Sequence, residues 1–557
     1  MSWRSVSARL WGTVFLAWLA CLVGAQLAQA QGGEPQVFAI RGAKVVPVSS
    51  APIENATVVV SHGLITAVGT NVAVPPDAWV IDGKGLTVYP GLVDGFTDVG
   101  VATPAPPTTD GGNKFPPLSR GPEDRPATTP WRNAADEVNL SDPRVETWRM
   151  AGFTTVIAAP KGGMFPGQAA ILDLGGVRAG DFVVKTPVAI PISLQAPGGF
   201  RSFPGSLMGA IAYTRQVWLD TNWESQADAI YDKNPRGLER PTYDRSDVTL
   251  AEALGKHAVV LIPGNSSLQI RRALRLNEEW KLNGVIYGGQ MAYDFAPEIA
   301  AKKIPVLVDL KWPEASNDAD PEVTPTLREL QFRDRAPSSA EALDKAGVKF
   351  AFYSGGIATP KDILPAVKKA IDAGLPPTAA LRALTLSPAE IYGVSETMGS
   401  IEKGKIANLV VTDGDLFDKK TKVKIVFVDG CKYEVREVLR PTDPPKGDLT
   451  GKWNMKFATQ QGEEQAIADL TMEPDGTLTG TVSGDRGTGT VFSGWVSGDN
   501  FSFTISLQIE GGTSDVVFTG TFEGTSMKGT ILALGYTIEF TGAKPTAALA
   551  ATMGSAR

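Results

Sequence analysis

The stretch VYPGLVDGFTDVG, residues 88–100, is the most informative part of this 557-residue chain. An apolar run over residues 86–89 leads into a Pro-Gly pair, and residues 92–93 are again apolar before a polar segment starts at Asp94. Short apolar runs bounded by glycine and proline are typical of buried strands. We therefore predict a buried strand whose carboxyl end, from Asp94 onward, faces a pocket.

The segments that follow this strand alternate between strand-like and helix-like patterns. Such alternation favours a parallel sheet covered by helices. Short β-branched runs separated by turn residues lie before residue 88 and again after residue 403, which predicts β structure at both ends of the region. The predicted strands between these ends are 154–159, 188–192, 258–262, 284–287, 304–309 and 348–353, and the predicted helices include 267–282 and 363–373.

Three segments resemble the metal-dependent amidohydrolase superfamily. Residues 90–98, PGLVDGFTD, are similar to the superfamily pattern PGL[IV]D-x-H-x-H. Residues 380–394, ALRALTLSPAEIYGV, and 398–411, MGSIEKGKIANLVV, resemble its C-terminal pattern. The branch that the chain resembles most is that of the imidazolonepropionase-like exported hydrolases. The resemblance covers roughly residues 36–440 and implies an (α/β)8 TIM-like barrel, flanked by a small β-sandwich built from both ends of the domain.

The chain beyond residue 440 changes character. A Pro-rich segment is followed by short alternating strands with glycine turns, which predicts an all-β barrel or sandwich. We expect a signal peptide at 1–30, a composite β-sandwich from 36–88 and 403–440, an amidohydrolase-like (α/β) barrel at 89–402, a linker at 441–447, a β-barrel-like domain at 448–543 and a disordered tail at 544–557.

The N-terminus has the features of a signal peptide. Two arginines precede an apolar stretch over residues 10–27, and AQA at 28–30 matches a cleavage site. We expect cleavage after Ala30, no membrane span in the mature chain, and a periplasmic or secreted protein; a retained anchor is the alternative. The net charge is −7, and the absence of a basic block excludes a nucleic-acid partner. The oligomeric state stays unknown.

The resemblance implies metal ligands that this sequence lacks. Two histidines are implied on the first barrel strand, where the chain has Phe96 and Asp98. Further histidines are implied near Asn265 and near residues 288–290, and an aspartate near residues 354–356, but none of these segments contains the implied residue. The donors for a binuclear centre are therefore missing together.

The chain contains only two histidines, His62 and His257. His62 lies in a predicted hairpin turn, and His257 lies at the start of a predicted strand, whereas barrel active sites use the other strand ends. We therefore expect no metal, no cofactor and no catalytic residue of the superfamily type. A carboxylate site for a hard cation, built from Asp94 and Asp98, is the alternative.

Polar and aromatic side chains lie at the predicted strand ends, so we expect the barrel mouth to bind a ligand. A Lys161–Asp98 pair offers metal-free acid–base chemistry, with a plain salt bridge as the alternative. The candidate ligand-binding residues are Asp94, Phe96, Asp98, Lys161, Gln168, Asn265, Asp309, Lys311 and Ser354.

Two functions follow from these observations. The superfamily hydrolyses non-peptide carbon–nitrogen bonds, but the missing ligands predict a non-catalytic relative that binds a small molecule at the barrel mouth or acts as a scaffold. The alternative is a hydrolase that cleaves a small amide, cyclic imide or peptide-like substrate through an atypical site.

Overall fold

The structure is a computed structural model. It describes residues 37–102, 125, 127–195, 204–255, 258–314, 324–435, 443–459, 462–484, 487–509, 512–533 and 536–544. The predicted signal peptide, nearly all of the predicted tail, and His257 lie outside these residues. The chain divides into two compact units, Met1–Val435 and Arg436–Arg557. Among the helices of the described residues, none is both long and apolar enough to cross a membrane.

The strands of the first unit follow one another in two sheets. In chain order they are β1 (Phe38–Val45), β2 (Ile53–Ser61), β3 (Leu64–Gly69), β4 (Trp79–Asp82), β5 (Thr87–Pro90), β6 (Leu92–Thr97), β7 (Phe153–Ala158), β8 (Ala169–Asp173), β9 (Val183–Pro191), β10 (Val259–Gly264), β11 (Gly284–Gly288), β12 (Val306–Asp309), β13 (Phe350–Tyr353), β14 (Leu409–Thr412), β15 (Val423–Val428) and β16 (Cys431–Glu434).

The first sheet combines strands from both ends of the unit. Its order is β16-β15-β14-β5-β1-β2-β3, and β4 pairs with β1. β14 runs antiparallel to β5, with Val410 opposite Tyr89. The β-branched and aromatic side chains of these strands pack into a core of their own, which includes the fully buried residues Ile40, Leu409 and Phe427. This shared core joins the two ends of the unit in one element.

The second sheet is the barrel, with its strands in chain order from β6 to β13. Seven of the strands are parallel, and β8 runs antiparallel to both of its neighbours. The sequence did not lead us to predict β8. Its five residues, AAILD, are all buried. In a short continuous apolar run of this kind, periodicity distinguishes neither a strand from a helix nor a parallel from an antiparallel strand.

Strands β6 and β13 approach each other closely at the seam of the barrel. A Cβ placed on Gly95 would lie 2.7 Å from the carbonyl oxygen of Phe352, so only glycine fits there. The main-chain N–H of Ser354, just past β13, donates to Oδ1 of Asp94 at 3.0 Å. A backbone contact and a side-chain hydrogen bond therefore connect the first and last barrel strands.

Helices cover the outside of the barrel. Several begin at a side chain that accepts a hydrogen bond from the first turn, as Asp142, Ser206, Ser266 and Thr326 do. The helices are α1 (Pro143–Met150), α2 (Ala179–Phe182), α3 (Leu207–Lys233), α4 (Arg245–Gly255), α5 (Ser267–Trp280), α6 (Ala296–Lys302), α7 (Leu327–Arg335), α8 (Ser339–Lys345), α9 (Ile363–Asp372), α10 (Pro377–Ala383) and α11 (Leu386–Ile391), with short 3-10 turns at Ala292–Asp294, Ala336–Ser338 and Pro360–Asp362.

The barrel interior is filled by alternate residues of its strands. Leu261, Val285, Leu307 and Ala351 belong to one buried cluster, whereas their sequence neighbours pack into the larger cluster that includes the helices. Because side chains alternate along a strand, the residue two positions further along points inward again. This alternation brings the side chains of β11, β12 and β13 to the barrel mouth.

The second unit is a closed antiparallel barrel of eight strands. Its closure comes from β17 pairing with β24, and Trp453, Phe501 and Phe503 fill its core. The strands are β17 (Gly451–Thr459), β18 (Gly462–Met472), β19 (Leu478–Gly484), β20 (Gly487–Ser497), β21 (Asn500–Ile509), β22 (Gly512–Glu523), β23 (Ser526–Ala533) and β24 (Tyr536–Ala543).

Candidate functional site

The candidate site is the barrel mouth, where the parallel strands end. Inward positions at this end are occupied by Phe96 on β6, Tyr287 on β11, Asp309 on β12 and Tyr353 on β13. Active sites of α/β barrels lie at these carboxyl ends. The structure thus brings the predicted Phe96 together with Tyr287 and Tyr353, which are not among the nine candidate ligand-binding residues.

Three aromatic rings meet in the mouth, and we call them the aromatic triad: Phe96, Tyr287 and Tyr353. The ring of Phe96 lies with its centroid 5.3 Å from that of Tyr287 and 6.0 Å from that of Tyr353, both tilted. These distances are in the range that favours aromatic pairs. The hydroxyl of Tyr287 donates to the carbonyl oxygen of Ile192 at 3.0 Å. Burial raises the pKa of both phenols, so they stay neutral at physiological pH.

Asp94 is buried beneath the mouth and its carboxylate is held by several donors. Oδ1 accepts from the main-chain N–H of Ser354 at 3.0 Å and, more weakly, from that of Phe96 at 3.5 Å. Oδ2 accepts from Nε1 of Trp148, on helix α1, at 3.3 Å. Burial raises the pKa of Asp94 to about 6, although these hydrogen bonds oppose the rise. The Asp94 side chain therefore connects β6 to helix α1 and to the end of β13 by hydrogen bonds.

Asp98 forms ion pairs with two cations. Nζ of Lys161 lies 2.8 Å from Oδ1, and Nη1 of Arg144 lies 3.1 Å from Oδ2. Arg144 also binds Asp142, the residue that caps its own helix. Burial raises the pKa of Asp98, but the hydrogen bond from Lys161 and the charges of Arg144 and Lys161 outweigh it and lower the pKa overall. The predicted Lys161–Asp98 pair is present, and it includes Arg144 as a third member.

Asp309 supplies a second carboxylate with a raised pKa at the mouth. Its Oδ1 accepts from the main-chain N–H of Lys311 at 2.8 Å, and its Oδ2 accepts from the hydroxyl of Tyr353 at 3.4 Å. Burial raises its pKa to about 6, and the charge of Asp94 adds to the rise. A Cβ placed on Gly355, which has a φ of +59°, would collide with the Asp309 carboxylate. The carboxylate of β12 thus occupies space that a side chain at position 355 would need.

Gln290 is a mouth residue that was not among the predicted ligand-binding residues. Its Nε2 donates to the main-chain carbonyl oxygens of Asp309 at 3.2 Å and of Lys311 at 2.7 Å. The main-chain carbonyl oxygen of Gln290 accepts from Oγ of Ser339 at 2.7 Å. It lies two residues after the end of β11, in the segment 288–290 where the resemblance implied a histidine. Gln290 fixes the end of β12, and hence the position of Asp309.

Two further predicted residues have structural partners near the rim. Gln168 is buried, and its Nε2 donates to the carbonyl oxygen of Pro130 at 2.9 Å. Asn265 is exposed, its main-chain N–H donates to Oε1 of Gln269 at 2.8 Å, and its side chain covers Gly288. Gln168 therefore supports a loop, whereas Asn265, like the exposed Lys311, is open to solvent at the mouth.

The donor set around the mouth fits a zinc centre poorly. Zinc needs about three protein ligands, preferably nitrogen or sulfur. Phe96 offers no donor atom, both carboxylate oxygens of Asp98 face cations, and both oxygens of Asp94 accept hydrogen bonds. His62 lies in the turn between β2 and β3, on the other sheet. Within the described part of the chain, no three or more His, Cys, Asp or Glu residues form a group that could hold a metal ion.

Comparisons with known proteins agree with this architecture. Residues 248–449 match the family model described as "Amidohydrolase family". The crystal structure of an amidohydrolase from Thermotoga maritima MSB8 is 27% identical, covers 71% of this chain and 100% of its own, and superimposes with a TM-score of 0.59. Another amidohydrolase crystal structure is 18% identical over 72% of this chain and 100% of its own, with a TM-score of 0.45. The search of curated proteins gave no match. The predicted fold class is confirmed, and the similarity to amidohydrolases is supported.

Proposed function

We propose that this protein is an exported, non-hydrolytic relative of the amidohydrolases that binds a small organic molecule at its barrel mouth. The observation that carries the proposal is the aromatic triad. Its member Phe96 occupies the position where the superfamily pattern has the first metal-binding histidine, and two neighbouring rings pack against it.

The chemistry of amide hydrolysis explains why this replacement matters. A bound metal lowers the pKa of water from 15.7 to about 7, which supplies a nucleophile at neutral pH. At this mouth the place of one ligand is taken by a ring without a donor, and both carboxylate oxygens of Asp98 are engaged in ion pairs with Lys161 and Arg144. Without the metal, the nucleophile is scarce and the barrel retains only its capacity to bind.

The surfaces at the mouth suggest the kind of ligand. Phe96 is partly exposed and offers an apolar face, while Lys311 and Asn265 are exposed at strand ends nearby. Ligand pockets commonly combine apolar walls with a few polar groups that fix orientation. We propose a ligand with a flat apolar part that stacks on the triad and a polar or anionic part that reaches the rim.

An activity panel tests the proposal. Full-length protein is assayed against a small amide, a cyclic imide and a dipeptide, with and without added Zn2+, and ligand-observed NMR screens flat organic acids for binding. We expect no hydrolysis under any condition, and binding that weakens in Phe96→Ala but not in Trp79→Ala, a control on exposed β4. Zinc-dependent turnover, or binding that is indifferent to Phe96→Ala, would contradict the proposal.

One observation favours the alternative, an atypical hydrolase. Burial raises the pKa of Asp309 to about 6, and a general base works best when its pKa lies near the working pH. If hydrolysis appears without added metal, Asp309→Asn decides its origin. Loss of that activity in the variant, together with a wild-type rate that rises through pH 6, would support metal-free catalysis instead of the proposed binding function.

Export is a separate part of the proposal. It rests on the arginines, the apolar stretch and the cleavage pattern within residues 1–30. Cell fractionation followed by N-terminal sequencing should give a periplasmic or secreted protein that starts at Gln31. A cytoplasmic protein that retains Met1 would contradict export.

A further inference from the structure

A second pocket lies at the opposite end of the barrel from the mouth, and we call it the basal pocket. It has a volume of about 650 Å3 and is lined by residues at the amino ends of β9 to β13 and by the end of helix α11. Volumes of this size hold small organic ligands. Its position separates it from the site at the carboxyl ends of the strands, so a ligand there would be a second ligand.

We propose that the basal pocket binds a small dianion, either a phosphate group or a dicarboxylate. Three lysines line it, each at or just before the amino end of a different strand: Lys185 in β9, Lys303 before β12 and Lys349 before β13. Among the lining residues that the structure describes, the one acidic side chain is Glu390. The whole chain has a net charge of −7, so a positive pocket reverses the sign of the protein locally.

Glu390 offsets only part of the positive charge of this pocket, because its single carboxylate is shared between the lining Lys349 and Arg382. Its Oε2 lies 3.0 Å from Nζ of Lys349, and its Oε1 lies 2.5 Å from Nη2 of Arg382. Two cations thus share one carboxylate. The remaining charge, from these two and the other lysines, is available to a ligand.

Lys185 and Lys303 have no carboxylate partner among the described residues. Nζ of Lys185 donates to the carbonyl oxygens of Gly393 at 3.1 Å and of Tyr392 at 3.5 Å, just beyond α11. These neutral acceptors orient the ammonium group without cancelling its charge, and an ammonium has three donors. Lys303 ends helix α6 with a φ of +54° and is exposed.

The other walls of the basal pocket are apolar, and they strengthen the field of the lysines. Val188, Ile304 and Ile391 are buried side chains that line it. A cleft with charges of one sign and walls of low dielectric focuses the potential and concentrates ions of the opposite sign. The charge of a dianion matches that of the two lysines without a carboxylate partner in the described part of the chain, whereas a monoanion matches only one.

Isothermal titration of the full chain at low ionic strength tests the inference, with inorganic phosphate and succinate as separate probes. Binding of either probe supports it, and the tighter of the two identifies the anion class. Lys185→Gln and Lys303→Gln should each weaken binding about fivefold or more, since each removes one charged contact. Lys420→Gln, an exposed lysine on a loop outside the pocket lining, is the matched control and should change nothing.

A gain of affinity provides a second test that misfolding cannot imitate. Glu390→Gln removes the competing carboxylate and releases Lys349 and Arg382, so anion binding should tighten several-fold. The inference fails if neither probe binds the wild-type protein. It also fails if Lys185→Gln, Lys303→Gln and Glu390→Gln leave the affinity unchanged, or if Lys420→Gln weakens it as much as the pocket variants do.

Discussion

At the residue scale, the mouth is defined by an aromatic ring at position 96 and by the partners that hold its carboxylates. Phe96 contributes a ring to the aromatic triad, and Asp98 is paired with Lys161 and Arg144. Asp94 is fully buried and accepts hydrogen bonds from its surroundings. Each of these side chains is used structurally, which leaves few free donors at the mouth.

Introducing two histidines at positions 96 and 98 should not create a metal site. In Phe96→His combined with Asp98→His, a zinc ion would face Lys161, which loses its carboxylate partner Asp98, and Arg144, which keeps only Asp142, and both cations would repel it. Ligands from the later strands would still be missing. Zinc titration should therefore show no stoichiometric binding by the variant, as for the wild type. Tight zinc binding accompanied by amide hydrolysis would contradict this prediction and show that two histidines are enough to complete a metal site.

Buried carboxylates make the stability of the first unit depend on pH. Burial raises the pKa of Asp94 and of Asp173 to about 6, whereas the unfolded value is near 4. The folded state then binds more protons between these values, so the free energy of unfolding is highest below pH 4 for these groups and falls as the pH rises to 6. Each contributes on the order of 1 kcal/mol between pH 5 and pH 7.

Urea unfolding followed at 222 nm measures this effect, because all helices in the described residues belong to the first unit. The midpoint should be higher at pH 5 than at pH 7. Asp173→Asn removes one titrating group, and its pH dependence should be shallower than that of the wild type. A midpoint that rises from pH 5 to pH 7 would contradict the assignment.

At the element scale, the seam between β6 and β13 determines whether the barrel closes. The carbonyl oxygen of Phe352 lies where a side chain at Gly95 would begin. Gly95→Ala should lower the free energy of unfolding by about 2 kcal/mol, as overpacking against backbone does. The control is Gly180→Ala in α2, where a Cβ meets nothing within 4 Å. Thermal denaturation of both variants gives the comparison, and equal melting temperatures would refute the steric explanation.

The elements also show what a sequence can and cannot predict. Helices α5 and α9 and the parallel strands lie where periodicity and turn residues placed them. The antiparallel strand β8 was not predicted, because a short apolar run does not indicate whether it forms a strand or in which direction that strand runs. The aromatic triad was not predicted for another reason. Tyr287 and Tyr353 are 66 residues apart in the sequence, and only the register of the barrel strands brings both rings next to Phe96. Likewise, Arg144 and Trp148 reach the mouth from helix α1, outside the strand ends where candidates were sought.

At the scale of the whole molecule, the two units are expected to fold separately. The second unit is a closed barrel with its own core of aromatic and aliphatic side chains. A fragment of residues 448–543 should therefore show one cooperative thermal transition and a β-type circular dichroism spectrum. A fragment that melts without cooperativity would show that the barrel needs the first unit.

The central proposal is that the barrel mouth binds a small molecule and holds no catalytic metal centre. Elemental analysis of the full chain, purified from its own compartment without chelators, tests that proposal most directly. The account predicts no stoichiometric zinc, iron or manganese, and no gain of amide or imide hydrolysis when these ions are added. One or two equivalents of zinc per chain, bound reversibly and required for turnover, would contradict it.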